Sequence, residues 1–238
     1  MSLARLALTE ALYGYLDSVS EREPDVLRSL RLDTLADPDH GMAVCPMEGQ
    51  FLAVIARMIG ARKLCEVGVY TGYSSLSMAL ALPPDAHLWA FDVSDPWTAM
   101  ARKYWRLAGV DHQITLWIGP GDASMRRLVE EGHAGTLDLV FIDANKRDYL
   151  LYWNLAHQLL RTGGVVLADN VLFQGVVGPD WTDERLREKW AAEPPDVVAN
   201  LIAATHAIRA FNRAVHHDTR FATAMVPVAD GMTFGVKL

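Results

Sequence analysis

Two acidic residues, each closing a short apolar run, have the clearest chemical meaning in this sequence. The runs are LDLVFID, which ends at Asp143, and VVLADN, which ends at Asp169 and Asn170. A continuous apolar run without polar alternation predicts a strand that is buried on both faces, as in a parallel sheet covered by helices. Open α/β sheets bind ligands at the carboxyl ends of their strands, so we expect these three side chains to meet there.

The three side chains suit a hard divalent cation. Two carboxylates and one carboxamide supply only oxygen ligands, the type that Mg²⁺ takes in proteins. Lys146 follows Asp143 by three residues and is a candidate general base next to the cation. Two alternatives stay open: an Asp at a strand end can simply cap the next helix, and Lys146 can be a solvated surface lysine.

A second ligand site is predicted at the turn EVGVYTGYS, which follows the first strand. Its spacing, ExGxxxG, differs from the dinucleotide pattern GxGxxG, which argues for a ligand without a diphosphate. Glu66 could bind an ammonium group, Asp92 at the end of strand two could bind a ribose diol, and residues 121 to 123 could border an adenine. A ligand with these groups and no phosphate is S-adenosylmethionine.

The elements that must position these residues alternate regularly between strand and helix. This alternation predicts an α/β fold with a doubly wound, mostly parallel sheet of seven strands. Two helices over residues 3 to 36 and a third that begins at Pro46 make residues 1 to 60 an added N-terminal helical layer. The runs RFATAMVPV and GMTFGVKL are joined by Asp230-Gly231, a hairpin signal, so the last strand is predicted to be antiparallel.

Bulk composition narrows the class of protein. A chain of 238 residues with 51% hydrophobic residues is predicted to form a single domain over residues 1 to 238. A net charge of −7 argues against a nucleic-acid binder, and no uncharged apolar run is long enough to cross a membrane. The two cysteines are too few for a disulfide framework, so we expect a reducing, cytoplasmic location.

Four ordered blocks make the resemblance to a known family specific. CEVGVYTGYSSLSMALALP, FIDANKRDYLLYW, GGVVLADNVLFQGVV and PVADGMTFGVK resemble the signature blocks of the cation-dependent O-methyltransferases of the caffeoyl-CoA and catechol O-methyltransferase type. The resemblance implies a Rossmann-like methyltransferase sheet, a homodimer and a role in bacterial secondary metabolism. It implies S-adenosylmethionine contacts at Val44, Glu66, Gly68, Val69, Ser74, Asp92, Ala123 and Asp143, metal ligands at Asp143, Asp169 and Asn170, and a catalytic base at Lys146.

The chain departs from the family near the acceptor. Phe173 and Gln174 occupy positions where the family has Trp and Asn. The segment from residue 178 to residue 200 is longer than the corresponding segment of typical members. Thr182 can cap a short helix in this insertion, and Trp181 and Trp190 offer flat apolar surface to an aromatic acceptor. We therefore predict a lid over a small substrate. The alternative is that the two rings pack on their own domain or on a dimer partner.

The sequence therefore predicts the S-adenosylmethionine- and divalent-metal-dependent O-methylation of one hydroxyl of a small catechol-like aromatic acceptor. Mg²⁺ is the expected cation, and no nucleic acid or membrane is expected as a partner. Two alternatives remain. One is a non-catalytic cofactor-binding protein that acts as a dimer, and the other is an NAD-type oxidoreductase, which the missing GxGxxG pattern disfavours.

Overall fold

A seven-stranded sheet with the order β3-β2-β1-β4-β5-β7-β6 forms the centre of the computed structural model, which describes residues 9–20 and 22–238. The strands are β1 (Lys63–Val67), β2 (His87–Asp92), β3 (Ile114–Ile118), β4 (Leu137–Ile142), β5 (Leu160–Ala168), β6 (Phe221–Val226) and β7 (Met232–Lys237). Strands β1 to β5 pair in parallel, and β7 runs antiparallel to both of its neighbours. The predicted mostly parallel sheet with an antiparallel last strand is confirmed.

Helices cover both faces of this sheet. They are α1 (Glu10–Ser20), α2 (Asp25–Thr34), α3 (Pro46–Met58), α4 (Tyr73–Ala79), α5 (Asp95–Leu107), α6 (Gly121–Leu128), α7 (Tyr149–Leu159), α8 (Asp183–Lys189) and α9 (Pro195–His216). Residues 3–8 and 21 of the predicted N-terminal helices lie outside the described part of the chain. The short helix predicted after Thr182 is present as α8, and the Thr182 hydroxyl caps it by accepting a bond from the Arg185 N–H at 3.4 Å.

Alternate residues of each central strand enter different cores, which explains the unbroken apolar runs. Val140 and Ile142 of β4 pack with the helices of one face, around Trp153. Leu139 and Phe141 of the same strand pack on the other face, in the core that holds Leu52. Because both faces are buried, a polar residue in either position would lose its hydration, so the middle of β4 is apolar and its acid follows directly after the strand.

Trp153 of α7 connects one face of the sheet to the C-terminal hairpin. Its ring is fully buried and lies against Phe211 and Phe221, and its Nε1 donates a hydrogen bond to Asp218 Oδ2 at 2.9 Å. The ring also covers Gly235 of β7, where a Cβ atom would lie 2.6 Å from it. The hairpin is therefore seated against α7 by close packing that depends on the absence of a side chain at this position.

No helix in the described ranges, 9–20 and 22–238, is both long enough and apolar enough to cross a membrane.

Replacing Gly235 by alanine tests this packing. Gly235→Ala forces a methyl group against the Trp153 ring and Val166, so we expect the free energy of unfolding to fall by about 1–3 kcal/mol in urea titrations. The matched control is Gly14→Ala in α1, where a Cβ atom meets nothing within 4 Å. It should leave stability unchanged or raise it by up to about 1 kcal/mol. A Gly235→Ala variant as stable as the wild type would show that Trp153 moves aside freely.

Candidate active site

The carboxyl ends of β1, β4 and β5 converge on a cavity of about 720 Å³. The sheet's hydrogen bonds continue into the site: Asp143 N–H donates to Val67 O at 2.8 Å, and Asp169 N–H donates to Ile142 O at 3.0 Å. The two acids are thus held by backbone ladders on adjacent strands, next to the point between β1 and β4 where the strand order reverses. This is where open α/β sheets bind ligands.

Most of the site residues predicted from sequence line this cavity. They are Val44, Gly68, Val69, Ser74, Asp92, Asp143, Lys146, Asp169, Asn170, Phe173 and Gln174. Four of the predicted residues do not line it, namely Glu66, Ala123, Trp181 and Trp190. Ala123 is exposed in the first turn of α6, and its neighbour Gly121 reaches the cavity in its place.

The glycine turn after β1 is pressed against the end of β4. Gly68 has a φ of 96°, and a Cβ atom at this position would lie 1.8 Å from the carbonyl oxygen of Asp143. A side chain here would therefore push the turn away from the acid. Asp92 holds the turn from the other side, since its Oδ2 accepts the N–H groups of Val69 at 2.9 Å and Tyr70 at 2.8 Å.

Glu66 lies beneath this turn as a fully buried acid. Neither carboxylate oxygen has a hydrogen-bond partner among the described residues. Burial raises the pKa of Glu66 to about 8, although the nearby hydroxyls of Ser74 and Ser75 lower it in part. A buried carboxylate without a partner is costly, and a bound cationic group above it would supply the missing charge and donors.

Lys146 lies at the centre of the predicted cation site. Its Nζ is 2.7 Å from Asp143 Oδ1, 2.5 Å from Asn170 Oδ1 and 2.7 Å from the Tyr149 hydroxyl. The side chains of Lys146 and Asp143 are each only 16% exposed. The structure thus brings the candidate base and the candidate ligands into direct contact, which excludes a freely solvated Lys146.

Glu48 is a site residue that the sequence reasoning missed. It lies in the first turn of α3, is 3% exposed, and has no hydrogen-bond partner for Oε1. Burial, followed by the negative charge of Asp169, raises the pKa of Glu48. Burial, followed by the charge of Asp143, raises the pKa of Asp169 in turn. From sequence, Glu48 was only part of the helix predicted to begin at Pro46, so nothing marked it as a site residue.

The charge and ligand types at this point suit a bound cation. Among the described residues, five acids line the cavity, and three of them, Glu48, Asp143 and Asp169, lie close enough together for their charges to interact. Lys146 supplies the single ammonium in this lining. Within residues 9–20 and 22–238, no three His, Cys, Asp or Glu side chains could by themselves hold a metal ion. A cation here would therefore need the carboxamide oxygen of Asn170 in addition to the carboxylates, an all-oxygen set of the kind that Mg²⁺ takes.

The structure does not bring the two tryptophans of the insertion to the cavity. Trp190 is 7% exposed, contacts Phe173 edge to face, and places its Nε1 3.4 Å from Gln174 Oε1. The Trp181 ring packs on the same core and is covered by the cationic ends of Arg185 and Lys189. Trp190 therefore packs against Phe173 and approaches Gln174, and of these aromatic rings only that of Phe173 is in the described lining of the cavity.

Two further aromatic residues line the cavity next to Asp92. Tyr70 and Trp97 meet edge to face, with ring centroids 5.4 Å apart. They form an apolar wall beside the carboxylate that was expected to bind a ribose, an arrangement suited to a flat heterocycle attached to that sugar. Trp97 is a further cavity residue that the sequence analysis did not single out, because a tryptophan near the start of a helix carries no functional signal by itself.

Comparisons with known proteins agree with this geometry. The O-methyltransferase family model matches residues 17–238. A caffeoyl-CoA O-methyltransferase of Eucalyptus gunnii is 36% identical over 231 residues, which cover 96% of this chain and 88% of that protein. Among solved structures, the SAH-bound methyltransferase PaMTH1 of Podospora anserina has a TM-score of 0.84 at 26% identity, with 99% of each chain covered. The O-methyltransferase TomG of Streptomyces achromogenes, in complex with SAM, has a TM-score of 0.78 at 28% identity, covering 95% of this chain and 96% of that one.

The unpartnered Glu66 leads to a prediction on pH and ligand binding. Its pKa of about 8 in the folded state lies above the ordinary 4.5, so the folded chain holds more protons than the unfolded chain between these values. Stability of the ligand-free protein should therefore fall as the pH rises from 4.5 to 8. Glu66→Gln should flatten this slope in thermal melts and weaken S-adenosylmethionine binding by about tenfold or more in calorimetry.

Glu188→Gln provides the control for Glu66→Gln, because it removes one negative charge from the exposed surface of α8. It should change neither the slope nor the ligand affinity. An unchanged slope and affinity in Glu66→Gln would mean that Glu66 is satisfied within the fold and takes no part in binding.

Proposed function

This chain belongs to the O-methyltransferase family and is an S-adenosylmethionine-dependent O-methyltransferase, and we propose that it methylates one hydroxyl of a small catechol-like aromatic acceptor in a reaction that requires a divalent cation. Family membership decides against the oxidoreductase and the non-catalytic alternatives. The main support for the proposal is that Lys146 hydrogen-bonds to both Asp143 and Asn170 in the cavity.

The methyl donor fits the part of the cavity between the glycine turn and Asp92. We propose that Val44, Gly68, Val69, Ser74, Asp92 and Asp143 contact it, with its ammonium above the buried carboxylate of Glu66. The support is the unpartnered state of Glu66, the close approach that Gly68 permits, and the aromatic wall of Tyr70 and Trp97. A charge-assisted hydrogen bond from the donor would remove the cost of the buried acid.

A divalent cation fits the neighbouring part of the cavity. Asp143, Asp169 and Asn170 would hold it, and their all-oxygen chemistry together with the surplus negative charge favours Mg²⁺. A bound cation would lower the pKa of an acceptor hydroxyl that it contacts, as it does for bound water.

Side chains of this protein would then accept the proton and align the reacting atoms. Lys146 Nζ lies beside the proposed ligands and, as the neutral amine, would take the proton of the acceptor hydroxyl as general base. The C–S bond of the donor breaks as the acceptor oxygen forms its bond to the methyl carbon. In such an in-line displacement the protein's main contribution is to align oxygen, carbon and sulfur, which the rigid strand ends at Asp143 and Asp169 are suited to do.

The acceptor is assigned to the side of the cavity next to Asn170. Phe173 and Gln174 line that side, and Phe173 supplies an apolar ring face for an aromatic substrate. Both residues have positive φ angles, 44° and 54°, and Trp190 packs behind them. We propose that this braced turn selects a small free catechol-like acceptor. A bulky thioester such as the one named for the caffeoyl-CoA enzymes is the alternative, which competition kinetics with the two compounds would decide.

We also propose an oligomeric state and a biological role. The oligomeric state is a homodimer, for which the exposed surface of helix α1 is the support. No residue of α1 is buried, and its Tyr15 and Val19 side chains are 61% and 59% exposed. The biological role is a place in bacterial secondary metabolism, supported by TomG, which is involved in tomaymycin synthesis.

Cation dependence is tested by chelation and by one ligand substitution. Excess chelator should abolish the methylation of a catechol, and Mg²⁺ should restore it. Asp169→Asn should weaken cation binding by more than tenfold while leaving S-adenosylmethionine affinity within about twofold, because the acid lies on the acceptor side. Asp122→Asn is the control, since Asp122 follows the cavity-lining Gly121 in the chain but does not line the cavity itself. Full turnover in excess chelator would show that the reaction does not require a divalent cation.

The role of Lys146 is tested by removing its amine. Lys146→Met should lower kcat by about 10²–10⁴-fold, the usual contribution of a general base, with donor affinity unchanged. Arg147→Met is the matched control, because Arg147 has the same charge and is exposed, and its guanidinium contacts Asn200. A loss confined to KM in Lys146→Met would mean that Lys146 only positions the acceptor.

A further inference from the structure

The ammonium of Lys146 occupies oxygens that the proposed cation needs. Two of its three partners, Asp143 Oδ1 at 2.7 Å and Asn170 Oδ1 at 2.5 Å, belong to the proposed ligand set. The third, the hydroxyl of Tyr149 at 2.7 Å, does not. Lys146 is thus seated as an internal cation, and only one of its hydrogen bonds is independent of the ligands.

A divalent cation and this ammonium compete for the two ligand oxygens. A lone pair that is directed at a dication is no longer available to an N–H group, and two positive charges a few ångströms apart repel each other. Binding of the cation therefore weakens the hold of Asp143 and Asn170 on Lys146 and favours its release from them. A mostly buried amine that loses its partners is destabilised unless another partner remains.

Tyr149 has the properties of that remaining partner. It is fully buried at the first turn of α7, where its ring is held edge to face against Phe211 at 5.5 Å. The Lys146 Nζ approaches this side chain from its hydroxyl end, 4.9 Å from the centre of the ring. A phenol hydroxyl both donates and accepts hydrogen bonds, so it can bond to the amine with or without its extra proton.

We propose that Tyr149 is the positioning residue of Lys146: its hydroxyl holds the amine beside the acceptor once a cation has taken over Asp143 and Asn170. This inference rests on the proposed cation-dependent function. In it, Lys146 is released from the ligand oxygens by the incoming cation and is retained by Tyr149, so that its amine stays beside the acceptor.

A double-mutant cycle on Mn²⁺ affinity tests the proposal without measuring turnover. Mn²⁺ binding is followed by electron paramagnetic resonance at one fixed pH in the wild type, Lys146→Met, Tyr149→Phe and the double variant. Lys146→Met should bind Mn²⁺ about tenfold or more tightly, because the internal competitor is gone. Tyr149→Phe should bind it about 3- to 30-fold more weakly, because the displaced amine has lost its other partner. In the Lys146→Met background, Tyr149→Phe should have no effect.

Two matched variants separate this role from charge and from packing. Arg147→Met removes a neighbouring positive charge that does not touch the ligands and should change Mn²⁺ affinity by less than about twofold. Tyr104→Phe removes another buried hydroxyl, bonded to Asp33 Oδ2 at 2.7 Å outside the cavity, and should leave Mn²⁺ affinity unchanged. Thermal melts of all variants establish that each is folded.

Turnover provides the second readout. Tyr149→Phe should lower kcat by about 10-fold or more while KM for the donor stays within about twofold, because only the base is misplaced. Equal Mn²⁺ affinity in the wild type and Tyr149→Phe, or an equal effect of Tyr149→Phe with and without Lys146, would overturn the inference. If neither the wild type nor Lys146→Met binds Mn²⁺ at millimolar concentration, the proposed cation dependence itself is wrong.

Discussion

The burial of several acids at one edge of the sheet is the constraint on which the rest of this structure depends. Glu48, Glu66 and Asp169 are each at most 3% exposed, and Asp143 is held close to them at the end of β4. Charges removed from water are costly unless opposite charges or donors compensate them. Among the described residues that line the cavity, Lys146 provides the one ammonium. A methyl donor with a cationic tail and a divalent cation would supply the positive charge that the acids still lack.

The same acids connect stability to binding. Glu66 has no hydrogen-bond partner in the described part of the chain, and its raised pKa means that the folded protein either keeps a proton there or accepts a buried charge. Positive φ angles at Asn170, Phe173 and Gln174 add backbone strain in the turn that leaves β5. The buried acid and the strained turn therefore lower the stability of the ligand-free protein, and the binding of ligands at this site would offset that cost.

The insertion after β5 acts through this turn. Trp190 packs against Phe173 and approaches the amide of Gln174, and Arg209 donates hydrogen bonds to carbonyl oxygens from Val176 to Trp181. The segment therefore braces the side of the cavity that is proposed to bind the acceptor, while its tryptophans remain outside the cavity. Substitutions at Trp190 would consequently reach the acceptor indirectly, by releasing the strained conformation of Phe173 and Gln174.

The sequence by itself determined the sheet, the strand ends and the acids that follow them, because apolar runs, turn glycines and helix caps are local patterns whose physical causes lie within a few residues. It therefore placed Asp143, Asp169, Asn170 and the glycine turn correctly at one edge of the sheet. The packing of remote elements was needed to show that Glu48, far away in the chain, faces Asp169 and that Trp190 turns away from the cavity. These arrangements depend on how helices α3 and α8 pack against the rest of the fold. The direction of a side chain on a packed helix is set by elements remote in sequence, and no local pattern encodes it.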